Sequence, residues 1–140
     1  MNKNHALYND YLNIVNNWPL DDWSINCECF EKIVELIKFG DTILELGSGK
    51  SSHILSNFYN VFSVEDNKEW LNKYNTKYIY VKSIGKGEYD FDELSQKIKD
   101  INYQLLIVDG TNHNREEIVN HINIFKNNTP IIWDDTQCEA

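Results

Sequence analysis

Thr42-Ile43-Leu44-Glu45-Leu46-Gly47-Ser48-Gly49-Lys50-Ser51-Ser52 is the stretch that decides the fold. Ile43, Leu44 and Leu46 read as a buried strand. Gly47 and Gly49 permit backbone conformations that a side chain would forbid, and Ser51 or Ser52 is a suitable cap for a following helix. A strand that turns through glycines into a helix is built to hold a ligand.

Spacing separates the candidate ligands. Gly49-Lys50-Ser51 looks like the end of a phosphate-cradling loop, but that motif needs a glycine where Leu44 stands inside the strand. A dinucleotide fingerprint would place its third glycine at Ser52, so that match is also imperfect. What remains is an acid two positions before the first glycine, Glu45-x-Gly47-x-Gly49.

The segment Val61-Phe62-Ser63-Val64-Glu65 supports a nucleoside ligand independently. A nucleoside-binding unit carries an acid at the end of its second strand, about 20 residues beyond the first glycine, to take the ribose hydroxyls. Glu65 stands 18 residues after Gly47 and closes an apolar run. Asp66-Asn67-Lys68-Glu69-Trp70-Leu71 follows with the polar start and later apolar anchors of a helix.

Outward from these two motifs, strands and helices alternate. Strands are expected at 42–46, 61–65 and 78–82, with helices at about 51–58 and about 67–74 between them. Phe91, Leu94 and Ile98 suit a helix, and Leu105-Leu106-Ile107-Val108-Asp109 a fourth strand. Ile118, Val119, Ile122 and Phe125 suit a helical face, and Pro130-Ile131-Ile132-Trp133 a fifth strand. The first forty residues read as a helical lead-in. Ala6, Leu7, Tyr11, Ile14 and Val15 mark one helix; Cys29, Phe30, Ile33, Val34 and Ile37 mark a second, stopped by Gly40. Trp18 and Trp23 are expected to pack in this layer.

The fold class expected is therefore α/β: a Rossmann-like, doubly wound, mainly parallel sheet of about five strands with helices on both faces. It is expected to form one domain over 1–140, with the lead-in at 1–40 and the core at 41–140. In such sheets the ligand crevice lies above the C-terminal strand ends. Glu45 and its glycine turn, Glu65, Ser83-Ile84-Gly85, Asp109 and Asp134-Asp135 should gather there.

Composition narrows the partners. The chain has 140 residues, a formal charge of −9 and a single arginine, Arg115. That balance disfavours nucleic acid, which requires clustered cations. No apolar run is long enough for a membrane span, and no secretory hydrophobic region follows the N-terminus, so a cytoplasmic protein with a small-molecule substrate is expected. Cys27, Cys29 and Cys138 are too few for a disulfide framework and read as free thiols.

Taken together, "LELGSGKSS", "SVEDNKEW", "LLIVDG" and "IIWDD" resemble, in order and spacing, the class I S-adenosylmethionine-dependent methyltransferases over about residues 23 to 137. The resemblance implies an enzyme that transfers the methyl group of S-adenosylmethionine to a small-molecule or sugar acceptor. Oxygen is the favoured acceptor atom. It implies that Glu45, Gly47, Ser48 and Gly49 meet the methionine and ribose portions of the cofactor, with Ser51 and Ser52 at the mouth of the turn. Glu65 would accept the ribose hydroxyls, and Asp66, Ser83 and Ile84 would border the adenine.

Two alternatives stand for the other acids. Asp109, Asp134 and Asp135 are oxygen ligands suited to Mg2+, as in metal-dependent O-methyltransferases. Otherwise Asp109 orients the methionine end of the cofactor or a substrate amine, and the Asp134-Asp135 pair caps a turn. His113 is placed to act as general base, with an exposed loop histidine as its plainer reading. The family usually carries two further strands after the fifth. The fifth is therefore expected to be an edge, covered by the N-terminal helices, by a second copy or by another partner. A different class of function, a non-catalytic or partner-dependent nucleoside-binding module, shares the cofactor half of this reading. A nicotinamide oxidoreductase would need the pyrophosphate turn that Ser52 interrupts.

Overall fold

The computed structural model describes residues 5–17, 27–47, 50–72, 75–84, 88–108, 115–134 and 138–139. Five parallel strands form the centre: β1 (Thr42–Leu46), β2 (Asn60–Glu65), β3 (Lys77–Tyr80), β6 (Leu105–Val108) and β7 (Ile131–Asp134). The short strands β4 (Ser83–Ile84) and β5 (Glu88–Tyr89) form a separate antiparallel pair. Across the main sheet the order is β3-β2-β1-β6-β7, with β8 (Cys138–Glu139) outside β7. This is the expected Rossmann-like α/β arrangement. The strand order reverses between β1 and β6, the switch point at which open α/β sheets bind ligands.

Alternation along the strands sends side chains to two helical layers. Ile43, Val61, Leu105, Ile107 and Ile132 join one apolar cluster with α1 (His5–Asn16), α2 (Cys27–Leu36) and the residues around α3 (Lys50–Ser56). Cys29, Phe30, Ile33 and Val34 are the buried face of α2, as the helical spacing indicated. Gly40 takes φ +93°, a left-handed conformation that turns the chain from α2 into β1, and its N–H donates to Phe58 O at 2.8 Å. Leu44, Leu46, Val64, Leu106 and Val108 face the other layer, with α4 (Phe91–Ile98), Ile118 of α5 (Arg115–Asn120) and Phe125.

Four expectations are corrected. The helix expected over 67–74 is only a 3-10 turn, Lys68–Trp70. Asn67 caps the start of this turn, accepting from Glu69 N at 3.0 Å, and the chain leaves helical geometry at Leu71 (ψ 136°), followed by left-handed Asn72 (φ +61°). Ile118, Val119, Ile122 and Phe125 do not share one buried face. The α-helix ends at Asn120 and a 3-10 turn follows, leaving Val119 52% and Ile122 38% exposed. The N-terminal helices pack on a face of the sheet. The outer edge of β7 is met by β8, through Trp133↔Glu139 and Asp134↔Cys138. The third strand begins and ends slightly earlier than its expected bounds, at Lys77 and Tyr80. Among the described residues no helix is long and apolar enough to cross a membrane.

Candidate functional site

The sheet register brings the two acidic motifs together. β1 and β2 pair with Leu46 beside Val64, so Gly47 and Glu65 emerge next to each other at the same C-terminal edge. Gly47 has φ +94°, where a side chain would strain the backbone, and its N–H donates to Val64 O at 2.7 Å. The turn thus starts from a fixed point on the neighbouring strand.

Glu45 points into the layer that contains α3 and is 1% exposed. A carboxylate at such a depth requires donors. Ser52, in the first turn of α3, and Ser63, on β2, both donate hydroxyl protons to its Oε1, Ser63 at 2.5 Å. Ser63 also lies 2.7 Å from Thr76 Oγ1, ahead of β3. Glu45 and Ser52, read from sequence as facing the cofactor, are engaged with each other between β1 and α3.

Glu65 ends β2 and is 8% exposed. Its Oε2 accepts from the backbone N–H groups of Asp66 at 3.0 Å and Asn67 at 3.1 Å. These bonds orient the carboxylate. Asp66 is half-buried beside it, whereas Ser83 and Ile84 are exposed on β4, just beyond the end of β3.

Tyr80 stands directly across from Glu65 in the β2–β3 register. Its ring has Lys68 Nζ at 5.3 Å and Lys97 Nζ at 5.9 Å, close enough for cation–π attraction. Lys97 also donates to Tyr80 O at 2.5 Å and pairs with Glu93 at 2.8 Å. Sequence reasoning did not single out Tyr80, Ser63 or Thr76. Their signal was present only as the alternation that puts Ser63 and Glu65 on one side of β2, facing Tyr78 and Tyr80 of β3.

Comparison of the chain with protein-family models, with curated proteins and with solved structures finds no match in any of the three. The assignment of function rests on the site itself.

Ser48, Gly49, Asp109, His113 and Asp135 lie outside the described residues, as do Trp18 and Trp23. Ser51 and Asp134 are described only as backbone, in α3 and at the end of β7. Because Val108 pairs with Trp133, the chain leaves β6 and β7 at the same sheet edge as Gly47 and Glu65. Among the described residues no three His, Cys, Asp or Glu side chains converge on a metal position.

The remaining titratable candidates serve packing. His121 stacks on Phe91 with ring centroids 3.9 Å apart, and its Nδ1 is 2.8 Å from Glu117 O. Cys29 is buried, and burial pushes the Cys27 thiol above its ordinary range, with Glu31 adding to the shift. A thiol held protonated is a poor nucleophile.

Proposed function

We propose that this chain is an S-adenosylmethionine-dependent methyltransferase of class I, binding its cofactor over the C-terminal ends of β1 and β2. The methyl acceptor is an oxygen of a small molecule or sugar, and the setting is cytoplasmic. The observation that carries the proposal is the adjacency of Gly47 and Glu65 at the switch-point edge of the sheet. A glycine that admits close approach and an oriented carboxylate suit a nucleoside that bears an amino acid.

The residues fit that ligand in kind. A carboxylate has two oxygens, enough to accept from both hydroxyls of a ribose, and Glu65 is held in place by two backbone donors. Glu45 joins β1 to α3 through Ser52, and Gly47, Ser48, Gly49 and Ser51 are the residues proposed to meet the methionine portion. Asp66, Ser83 and Ile84 border the adenine. The cofactor supplies an electrophilic methyl on a sulfonium, so the protein's work is largely alignment of the acceptor in line with it.

Asp109 and His113 follow β6 in the chain and are the residues proposed for acceptor chemistry. His113 would take the acceptor's proton as general base. Asp109 would orient the methionine end or, with Asp134 and Asp135, hold Mg2+, which would lower the acceptor's pKa.

Calorimetric titration with S-adenosylhomocysteine and, separately, with NAD+ tests the cofactor assignment. Saturable binding of the former alone, with a dissociation constant below about 1 mM, supports it. Binding of the dinucleotide alone, or of neither, overturns it. Cofactor binding with no methyl transfer across a panel of hydroxylated acceptors would favour the non-catalytic module.

A further inference from the structure

Thr76 stands just ahead of β3, remote in sequence from the glycine turn, yet a directed chain of hydrogen bonds joins them. Its Oγ1 is 2.7 Å from Ser63 Oγ, and Ser63 donates to Glu45 at 2.5 Å. A serine hydroxyl has one proton. With that proton committed to Glu45, Ser63 meets Thr76 through a lone pair, and Thr76 is the donor. Ser52 reaches the same oxygen of Glu45 from α3.

Four side chains thus tie together β1, β2, the approach to β3 and the first turn of α3. Glu45 and Ser52 bracket the glycine turn, seven residues apart. Ser52 and Ser63 have no exposed surface, so water is not at hand to replace a lost partner. Hydrogen bonds in such a chain polarise one another, and loss of the outer donor weakens the inner bond.

We propose that Thr76 is a positioning residue: acting through Ser63 and Glu45, it holds the start of α3 against the end of β1 and thereby sets the affinity of the ligand bound there. The affinity half of this inference rests on the proposed function. The anchoring half does not. Thr76 touches no reacting group, so its influence is on binding rather than on the chemical step.

Hydrogen exchange on the ligand-free protein, comparing wild type with Thr76→Val and Thr76→Ser, tests the anchoring. Valine keeps the shape and removes the hydroxyl; serine keeps the hydroxyl. In Thr76→Val the amides of Gly47 and residues 54–56 are expected to exchange roughly three- to tenfold faster, the size of one net hydrogen bond. Thr76→Ser restores the wild-type rates, and the β6 amides keep theirs in both variants. Unchanged rates near Gly47, or equal acceleration in β6, would overturn the inference.

Titration with S-adenosylhomocysteine tests the affinity half. Thr76→Val should bind more weakly by a similar factor, with Thr76→Ser at the wild-type level. Equal affinity despite faster exchange overturns that half. A wild type that binds no S-adenosylhomocysteine, with the exchange pattern as expected, removes the proposed cofactor and the affinity half together and leaves the anchoring role standing.

Discussion

Ser52, in the first turn of α3, donates its hydroxyl proton to the buried carboxylate of Glu45 on β1. The bond joins the end of β1 to the start of α3. Ser52→Ala removes a hydrogen-bond partner from a carboxyl group that is 1% exposed, a loss that costs about 1–3 kcal/mol. Urea denaturation should show a lower midpoint with an unchanged slope. A midpoint equal to that of wild type would mean that the bond adds nothing to stability.

The layer under the site depends on α2. Ile33 is fully buried in the cluster that contains Ile43 and Leu105. Ile33→Ala leaves a cavity and is expected to destabilise the fold by about 2–5 kcal/mol. Thermal unfolding measures this directly, and a loss of less than about 1 kcal/mol would indicate that α2 packs more loosely than its burial implies.

Much of both layers was legible from residue spacing alone. β1 has the expected bounds, Thr42–Leu46, and α4 buries Phe91, Leu94 and Ile98. Strong periodicity survives tertiary context. The segment after β2 misled because, although Asn67 caps a helical start, the chain turns extended at Leu71 and left-handed at Asn72, which stops it after one turn. The two-residue strands β4, β5 and β8 are too short to carry any alternation. Within the site, Glu45, Ser52 and Glu65 were legible as motif positions. That Ser63 and Thr76 complete the Glu45 network was not, since it depends on strands that meet only through register.

Alkaline stability follows from two buried phenols. Burial raises the Tyr59 hydroxyl above its ordinary range, with Asp41 adding to the effect, and burial likewise raises that of Tyr103. Each folded-state pKa lies above its unfolded value, so the folded state holds more protons between the two. The stability contribution is complete below about pH 10 and is lost as pH rises toward the folded-state pKa. Stability measured from pH 9 upward should therefore fall, and Tyr59→Phe should flatten the decline. An equally steep decline in Tyr59→Phe would assign it to other groups.

Glu65 carries the central claim, because the proposed nucleoside site depends on its carboxylate beside Gly47. The most direct measurement is calorimetric titration of S-adenosylhomocysteine into wild type and Glu65→Ala, with thermal unfolding to establish that the variant is folded. Wild type should bind, and the folded variant should bind at least about tenfold more weakly, a loss of about 1.4 kcal/mol. Equal affinity in the two proteins would contradict the assignment of Glu65 to the ribose.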